Sequence, residues 1–378
     1  MKKFLLNFSR FITGAVFVFS GFVKGVDPLG TAYKLEDYFA AYGTEWANEL
    51  SLTFSILLCV IEFTIGVAIL LNLKPKLTVW GLMLMMVFFT GLTFYDAIYA
   101  PVPDCGCFGD AIKLTNWETF YKNVVLLVFT IIIFRNRNGL KNPLPNFFQS
   151  GLIIGVMLIF GSFSWYNYQH LPMIDFRPWK VGNSMNGDPN AETNVYLIYR
   201  NKTTGEIKEY LSPNYPWNDK SWLEAWEFVD QRFESENPGI AHNLRAEDAN
   251  GADNTSYILD SEVIFVFVSH NIEKISPKAA AKISTLSTLL NTYALNQVMI
   301  TASLPEEVEE FKTKHNSTLE AFFADEVVLK TMIRSNPGLV LFNKGVVIAK
   351  WHYNDFPDEK EINQLKLKLE KFNQAVSQ

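Results

Sequence analysis

Cysteine is scarce in this sequence, and several common functional motifs are missing. Its 378 residues include three cysteines, Cys59, Cys105 and Cys107, so no thiol follows position 107. We find no His/Cys cluster with zinc spacing and no glycine-rich phosphate loop of the GxxxxGKS or GxGxxG type. The net charge is -6, and no basic patch with interleaved aromatics is present. We therefore predict no nucleic-acid partner and assign no metal ion.

Charged residues are also scarce in roughly the first 170 positions, where long apolar runs dominate. Because about 20 apolar residues cross the hydrocarbon layer as a helix, five segments qualify as spans: 5–23, 51–72, 77–99, 118–134 and 150–168. The first segment lacks a small-x-small cleavage site before Lys24, and more spans follow it, so we expect it to be retained. The sequence therefore predicts a multi-pass membrane protein.

Lysine and arginine are distributed unevenly beside these segments. One set of flanks carries Lys2, Lys3, Arg10, Lys74, Lys76, Arg135, Arg137 and Lys141, and the other carries only Lys24, Lys34, Lys113 and Lys122. Basic residues collect on the cytoplasmic side, which predicts a cytoplasmic N-terminus and places the loop 100–116 and the C-terminal half outside. Because an outer compartment is oxidising, a close pair of thiols in that loop is expected to be a disulfide or a reversible dithiol.

Residues 170–378 form a second, cysteine-free region. The pattern predicts a hairpin over 195–212, a helix over 217–230 and a second hairpin over 243–259. From 262 onward, predicted strands and helices follow the order β-α-β-α-β-α-Pro-β-β-α, which is that of a thioredoxin fold. The predicted fold is thus a multi-domain membrane protein, with an all-α transmembrane four-helix bundle and a fifth connecting helix, followed by an α/β thioredoxin-like soluble domain.

The predicted division has four parts. Residues 1–145 hold four spans, 146–180 the fifth span and a linker, 181–260 a hairpin-rich part, and 261–378 the thioredoxin-like domain. After the first strand of that domain, VSHNIEKISPK (268–278) has no cysteine where a redox thioredoxin carries CxxC. Asn336 and Pro337 stand where the fold carries its cis-proline, so the domain is expected to keep a peptide groove or to be purely structural.

Three stretches of roughly the first 140 residues carry a family resemblance: FSGFVKGVDPLGTAYKLEDYF (19–39), IEFTIGVAILL (61–71) and PDCGCFGD followed by WETFYKN (103–123). On these, the region resembles the DoxX-like superfamily, and more closely its methylamine-utilisation MauE branch. The resemblance implies a role in periplasmic disulfide formation with a thioredoxin-like partner, and the four-helix unit is similar to membrane thiol oxidases that pass electrons to quinone. The fused outer domain resembles an arrangement of Bacteroidota proteins, which implies a bacterial inner membrane.

Cys105 and Cys107 flank Gly106, with Asp104 and Asp110 at the ends of the turn. A disulfide between them closes a small ring and is strained, and strained disulfides are the labile ones; Gly106 relieves part of the strain through a positive φ. The flanking carboxylates are expected to raise the pKa of the thiols. Redox exchange, a static loop disulfide, and metal or cofactor ligation completed by His170 and an aspartate are open interpretations.

Glu62 lies within the second predicted span, where a charge is costly and faces a partner or a cavity. Candidate partners are Lys24, Lys122, a quinone or a lipid headgroup; a packing pair or a protonated acid is the alternative. Cys59, three residues earlier, is either an electron relay for the loop or a small apolar side chain.

The leading hypothesis is an inner-membrane component of periplasmic thiol-disulfide chemistry with Cys105 and Cys107 as its catalytic pair. The supporting residues are then Asp104, Asp110, Gly106, Glu62, Cys59, Lys24, Lys122 and His170. Expected partners are membrane lipid and another periplasmic or envelope protein, and a quinone is the one cofactor considered. The alternative is a non-enzymatic envelope assembly or scaffold protein whose thioredoxin-like domain binds a partner protein or peptide.

Overall fold

A computed structural model describes residues 2–102, 104–186, 193–211, 214, 216, 219–235 and 243–376. The chain divides into two compact units. The first, which we call the membrane unit, comprises Met1–Arg177 and His352–Asp355. The second, the sheet unit, comprises Pro178–Trp351 and Phe356–Gln378.

Helices build the membrane unit. They are α1 (Lys2–Val26), α2 (Pro28–Ala41), α3 (Ser51–Leu70), α4 (Pro75–Tyr99), α5 (Asn116–Arg135) and α6 (Asn146–Gln169), with short 3₁₀ helices at Glu45–Leu50, Arg137–Gly139 and Tyr353–Asp355. Among the described residues, five helices are long and apolar enough to cross a membrane, namely α1, α3 with its preceding 3₁₀ turn, α4, α5 and α6. The five predicted spans are confirmed.

Local sequence sets where two of these helices begin. Asp27 caps α2 by accepting a hydrogen bond at Oδ1 from the Gly30 amide at 2.9 Å, and Pro28 suits the first turn because its missing N–H needs no partner there. Thr115 and Glu118 form a capping box at the start of α5. Both starts adjoin the loop regions that carry the functional candidates.

Helices α1 and α3 approach each other closely through glycines. A Cβ atom on Gly66 would lie 2.6 Å from the backbone nitrogen of Val18, and one on Gly21 would lie 2.6 Å from that of Phe63. Small residues let helix backbones meet at this distance inside a membrane bundle. The contact brings the polar side chains of α1 and α3 face to face.

The sheet unit holds a five-stranded sheet of order β6-β5-β4-β7-β8. Its elements are β4 (Ile264–Ser269), α9 (Pro277–Thr292), β5 (Asn296–Thr301), α10 (Pro305–His315), β6 (Glu320–Phe323), α11 (Glu326–Met332), β7 (Gly338–Asn343), β8 (Val346–His352) and α12 (Glu359–Val376). β4 pairs in parallel with β5 and antiparallel with β7, while β5 and β6 are parallel. Every residue of β4 and β7 is buried, so these strands form the core of the unit. This is a thioredoxin-type topology, and the predicted fold class is confirmed.

A smaller sheet of order β2-β1-β3 precedes it, from β1 (Thr193–Asn201), β2 (Ile207–Leu211) and β3 (Trp226–Ser235). The predicted helix over 217–230 is wrong beyond α7 (Lys220–Ala225), because the chain then pairs with β1 as β3. Only the first half of the predicted hairpin over 243–259 forms, with Glu247 bridged to Asp253; α8 (Thr255–Leu259) follows.

Candidate functional site

The CxC pair lies in the loop between α4 and α5. The sulfur atoms of Cys105 and Cys107 are 3.3 Å apart, within hydrogen-bonding distance for thiols and longer than the about 2.05 Å of a disulfide bond. Gly106 holds the turn with a φ of +66°, and the Gly109 amide donates to its carbonyl at 3.0 Å. Both cysteines are partly buried. The loop therefore presents two thiols in mutual contact.

Helix α2 packs against one side of this loop. Lys34 and Tyr38, one helical turn apart, share a face; the Lys34 ammonium bonds Asp104 Oδ2 at 3.0 Å, and a Cβ on Gly106 would lie 3.2 Å from Lys34 Cγ. The Tyr38 hydroxyl donates to Asp96 Oδ2 at 2.7 Å, and it is near enough to the Cys105 side chain to affect the pKa of that thiol. Cys105 thus faces a buried tyrosine–aspartate pair.

Helices α1 and α5 hold the other side. The Ser20 hydroxyl donates to the Cys107 carbonyl at 2.6 Å, and the Phe108 ring packs against Phe19 with centroids 5.5 Å apart. The Lys122 ammonium lies 4.5 Å from the centroid of the Phe108 ring, a cation–π contact. These contacts fix the backbone of Cys107 and place a cation beside it.

Glu62 pairs with Lys24, one of the two lysines predicted as its partner. The Lys24 ammonium lies 2.5 Å from Glu62 Oε2, and both side chains are almost fully buried. Beside the pair is a cavity of about 30 Å³ whose polar lining comes from Ser20, Lys24, Glu62, Cys107, Lys122 and Asn123. That volume holds a water molecule. The ion pair and Cys107 therefore face one small polar cavity inside the bundle.

The electrostatic environment shifts the pKa values of the two thiols in opposite directions. The hydrogen bond from Cys105 lowers the pKa of Cys107 to about 6, and the Lys122 and Lys24 cations assist it against burial and Glu62. The same hydrogen bond, with burial and the charge of Cys107, raises the pKa of Cys105 well above its ordinary value. The pair therefore keeps one proton near neutral pH, on Cys105, and Cys107 is the thiolate. A thiolate is the nucleophilic form of cysteine.

The flanking aspartates do not set this balance. The prediction that they raise the pKa of the thiols is wrong for Cys107, because the hydrogen bond from Cys105, with the Lys122 and Lys24 cations, lowers that pKa, and Asp104 is paired with Lys34. Asp110 is partly buried at the far end of the turn.

Cys59 and His170 pack in other parts of the membrane unit's structure than the turn that carries the two thiols. Cys59 is fully buried on α3 in an apolar cluster with Val60 and Phe160. His170 caps the C-terminal end of α6, and its Nδ1 lies 2.7 Å from Oδ2 of Asp355 within the membrane unit. The described residues contain no group of three His, Cys, Asp or Glu side chains able to hold a metal ion, so the suggested ligation by Cys105, Cys107 and His170 does not form there.

In the sheet unit, Asn336 ties two segments together. Its amide oxygen accepts from the Ser269 hydroxyl at 2.7 Å, and its amide nitrogen donates to the Asn271 carbonyl at 2.7 Å. The Asn336–Pro337 peptide is cis, and Pro337 is buried. Both the oxygen and the nitrogen of the Asn336 side-chain amide thus form hydrogen bonds within the domain. They do so beside the segment where redox thioredoxins carry CxxC.

Sequence reasoning missed Ser20, Lys34, Tyr38 and Asp96. Asp96 was detectable, because a carboxylate inside a predicted span is a functional candidate by itself. The i, i+4 spacing of Lys34 and Tyr38 marks a shared face of α2, but nothing local shows that this face covers the loop. Ser20 has no distinguishing signal.

One family model matches part of the membrane unit. Residues 2–135 match the model of the family described as methylamine utilisation protein MauE. No curated protein matches the chain.

Three solved structures are similar to part of the chain. Yeast Sco1 is 16% identical, with 35% of this chain and 95% of that chain covered and a TM-score of 0.25. Yeast Sco1 with copper bound is 17% identical, with coverages of 35% and 90% and a TM-score of 0.25. A putative protein disulfide isomerase from Bacteroides thetaiotaomicron is 12% identical, with coverages of 36% and 88% and a TM-score of 0.25.

These findings define a class. The chain is a multi-pass membrane protein whose N-terminal region carries a MauE-family domain. By its strand order and pairing, the C-terminal region is a thioredoxin-type α/β unit.

Proposed function

We propose that the chain is a membrane component of thiol-disulfide chemistry in which Cys105 and Cys107 cycle between dithiol and disulfide. The observation that carries the proposal is the 3.3 Å contact of the two sulfur atoms beside the buried Lys24–Glu62 pair and Lys122. A static disulfide loop needs neither a thiolate-stabilising cation nor a buried ion pair. Redox exchange uses both, because it depends on holding one sulfur as thiolate.

The exchange balances with a second protein's disulfide as oxidant. The Cys107 thiolate attacks one sulfur of that disulfide, which breaks, and the first thiolate leaves. Cys105 loses its proton and attacks the Cys107 sulfur, so the second thiolate leaves and a Cys105–Cys107 disulfide remains. Two electrons pass from the cysteine pair to the partner, and the reverse sequence oxidises a partner dithiol.

The setting forms part of the proposal. We place the protein in a bacterial inner membrane, within the DoxX-like superfamily, with the loop and the sheet unit in the periplasm beside another envelope protein. The cavity beside Cys107, about 30 Å³, is large enough for one water molecule. In this proposal the exchange runs between thiols and disulfides of two proteins, and a quinone stays a candidate for the final electron acceptor.

Single-cysteine variants test the chemistry. Full-length protein carrying Cys59→Ala, in detergent, is mixed with glutathione disulfide and analysed by intact mass. Cys105→Ser should accumulate a glutathione adduct on Cys107, whereas the unsubstituted pair should proceed to an internal disulfide with no adduct. Cys107→Ser should react far more slowly. Equal adduct yields on all three proteins would overturn the proposal.

A second candidate function is an envelope scaffold. It is favoured by the cysteine-free segment after β4, where the Ser276 hydroxyl caps α9 by accepting from the Ala279 amide, and the Asn336 amide joins the neighbouring backbone. In a scaffold, the loop with Cys105 and Cys107 would have only a structural role. Full retention of envelope function by the Cys105→Ser/Cys107→Ser double variant would favour this candidate over exchange.

A further inference from the structure

Asp96 is a buried carboxylate that the exchange described above does not use. It lies near the C-terminal end of α4 and is fully buried. Its Oδ2 accepts the Tyr38 hydroxyl at 2.7 Å, while Oδ1 is buried without a hydrogen-bond partner among the described residues. A buried polar atom without a partner is costly and calls for an explanation. One oxygen of Asp96 therefore has a free position for a proton.

Tyr38 joins this carboxylate to the reacting sulfur. Its hydroxyl donates to Asp96 and interacts with Cys105, and Lys34 on the same face of α2 bonds Asp104 of the loop. Burial raises the pKa of Tyr38, so the hydroxyl keeps a proton at neutral pH. A hydroxyl in this state passes a proton on only while it receives another.

Cys105 needs a proton acceptor at one point of the exchange. In the resting pair its thiol donates to the Cys107 thiolate. Once the Cys107 sulfur forms a mixed disulfide, it no longer accepts this hydrogen bond. Cys105 must nevertheless lose its proton before it attacks the Cys107 sulfur. The charged and titratable groups around the pair are Lys24, Lys34, Tyr38, Tyr42, Glu62, Asp96, Asp104 and Lys122. Tyr38 with Asp96 is the combination on the Cys105 side that leads to an acceptor.

We propose that Tyr38 and Asp96 form a proton relay that deprotonates Cys105 in the resolving step. The inference rests on the proposed dithiol–disulfide exchange and assigns different roles to its two sulfurs: Cys107 attacks the partner, and Cys105 resolves. Tyr38 exchanges the proton with Cys105 in this proposal, and Asp96 acts through Tyr38.

The step balances within the site. The Cys105 S–H bond breaks as its proton moves to the Tyr38 oxygen, and the Tyr38 proton moves to Asp96. The Cys105 sulfur then bonds to the Cys107 sulfur, the mixed disulfide breaks, and the partner leaves as a thiolate. Asp96 ends protonated and Tyr38 unchanged. In the opposite direction, the same groups return the proton to Cys105.

A chromogenic aromatic disulfide separates the two steps in the full-length Cys59→Ala protein. The reduced pair releases one coloured thiolate when Cys107 attacks and a second when Cys105 closes the ring, and stopped-flow absorbance follows both. The first release should be unchanged in Tyr38→Phe and Asp96→Asn. The second should slow on the order of 100-fold, as for loss of a general acid–base group. Tyr99→Phe, an exposed residue on the helix of Asp96, serves as the matched control and should keep both rates.

The pH profile distinguishes proton transfer from mere positioning. In the two relay variants the second release should recover as pH rises, because solvent then deprotonates Cys105 directly. A second release that is unslowed, or slowed by the same factor at every pH, would overturn the relay while leaving the exchange in place. A wild-type pair that releases only one equivalent would overturn the exchange and the relay with it.

Discussion

At the scale of single residues, the thiolate character of Cys107 comes from a hydrogen bond and two cations. Cys105 supplies the hydrogen bond, and Lys122 and Lys24 supply the positive charge against the opposing effect of Glu62. Lys24 is almost fully buried in an ion pair, whereas Lys122 is partly exposed. Lys122 is therefore the cation whose removal changes the charge without leaving a buried partner.

Replacing that cation should make Cys107 less acidic. In Lys122→Met the thiolate loses a favourable charge, so its pKa rises and a higher pH is needed to deprotonate it. Alkylation by iodoacetamide, followed against pH in the Cys59→Ala protein, should show a midpoint near 6 that moves upward. A midpoint one pH unit higher makes alkylation at pH 6 about fivefold slower. Lys113→Met, an exposed loop lysine, should not move the midpoint; a shift in it alone would contradict the assignment.

The Lys24–Glu62 pair also predicts a stability pattern. Lys24→Met leaves Glu62 buried without its cation and should cost about 3–5 kcal/mol. The double variant Lys24→Met/Glu62→Met removes both charges and should recover most of that loss. Thermal unfolding in detergent compares the variants, and equal losses for the single and double variants would show that the two charges are not coupled.

The sequence predicted the thiols but not their partners, and the reason is physical. Cys105 and Cys107 stand out by rarity, and Glu62 by its place in a span with Lys24 as a candidate partner. Tyr38 and Asp96 are 58 positions apart and meet only because α2 folds back over the loop. The pairing of Asp104 with Lys34 from α2 could not be predicted for the same reason.

At the scale of elements, the close contact of α1 and α3 aligns Lys24 with Glu62. A Cβ on Gly66 would lie 2.6 Å from the Val18 nitrogen and 2.9 Å from the Gly14 carbonyl oxygen. Both are backbone atoms, which cannot relieve the overlap by rotating as a side chain does. The position of the ion pair beside Cys107 therefore depends on glycine at this crossing.

Gly66→Ala should push the two helices apart. The overlap should cost about 1–3 kcal/mol, as for other overpacked positions, and should slow alkylation of Cys107 by displacing Lys24. Gly91→Ala, on α4 with open space at the Cβ position, is the matched control and should be neutral or slightly stabilising. Unfolding midpoints in detergent measure both, and equal midpoints would rule out the crossing as the constraint.

The local sequence pattern predicted the main sheet correctly but not the second half of the segment 217–230. The alternation from 262 onward specified the main sheet because buried strands and amphipathic helices have distinct periods. The segment 217–230 has helical spacing, yet pairing of Tyr199 with Phe228 and of Asn201 with Trp226 draws its second half into β3. Strand pairing across the sequence overrode local spacing there.

At the scale of the whole molecule, the charge of the helix flanks predicts the orientation. Lys141 lies in the basic set that we expect in the cytoplasm, whereas the CxC loop and the sheet unit are expected outside. A membrane-impermeant maleimide, applied to spheroplasts expressing Cys59→Ala, should label Cys105 and Cys107 after reduction. In protein lacking all three natural cysteines, Lys278→Cys should be labelled and Lys141→Cys protected; the reverse pattern would invert the topology.

The most direct test of the central claim is the redox state of Cys105 and Cys107 in living cells. Cells expressing the Cys59→Ala protein are treated with dithiothreitol, washed, quenched with acid at intervals and tagged with a mass-shifting maleimide. We expect two tags after reduction and a return to none after washout, and we expect the Cys105→Ser/Cys107→Ser variant to lose envelope function. Thiols fixed in one redox state throughout, together with full function of that double variant, would contradict it.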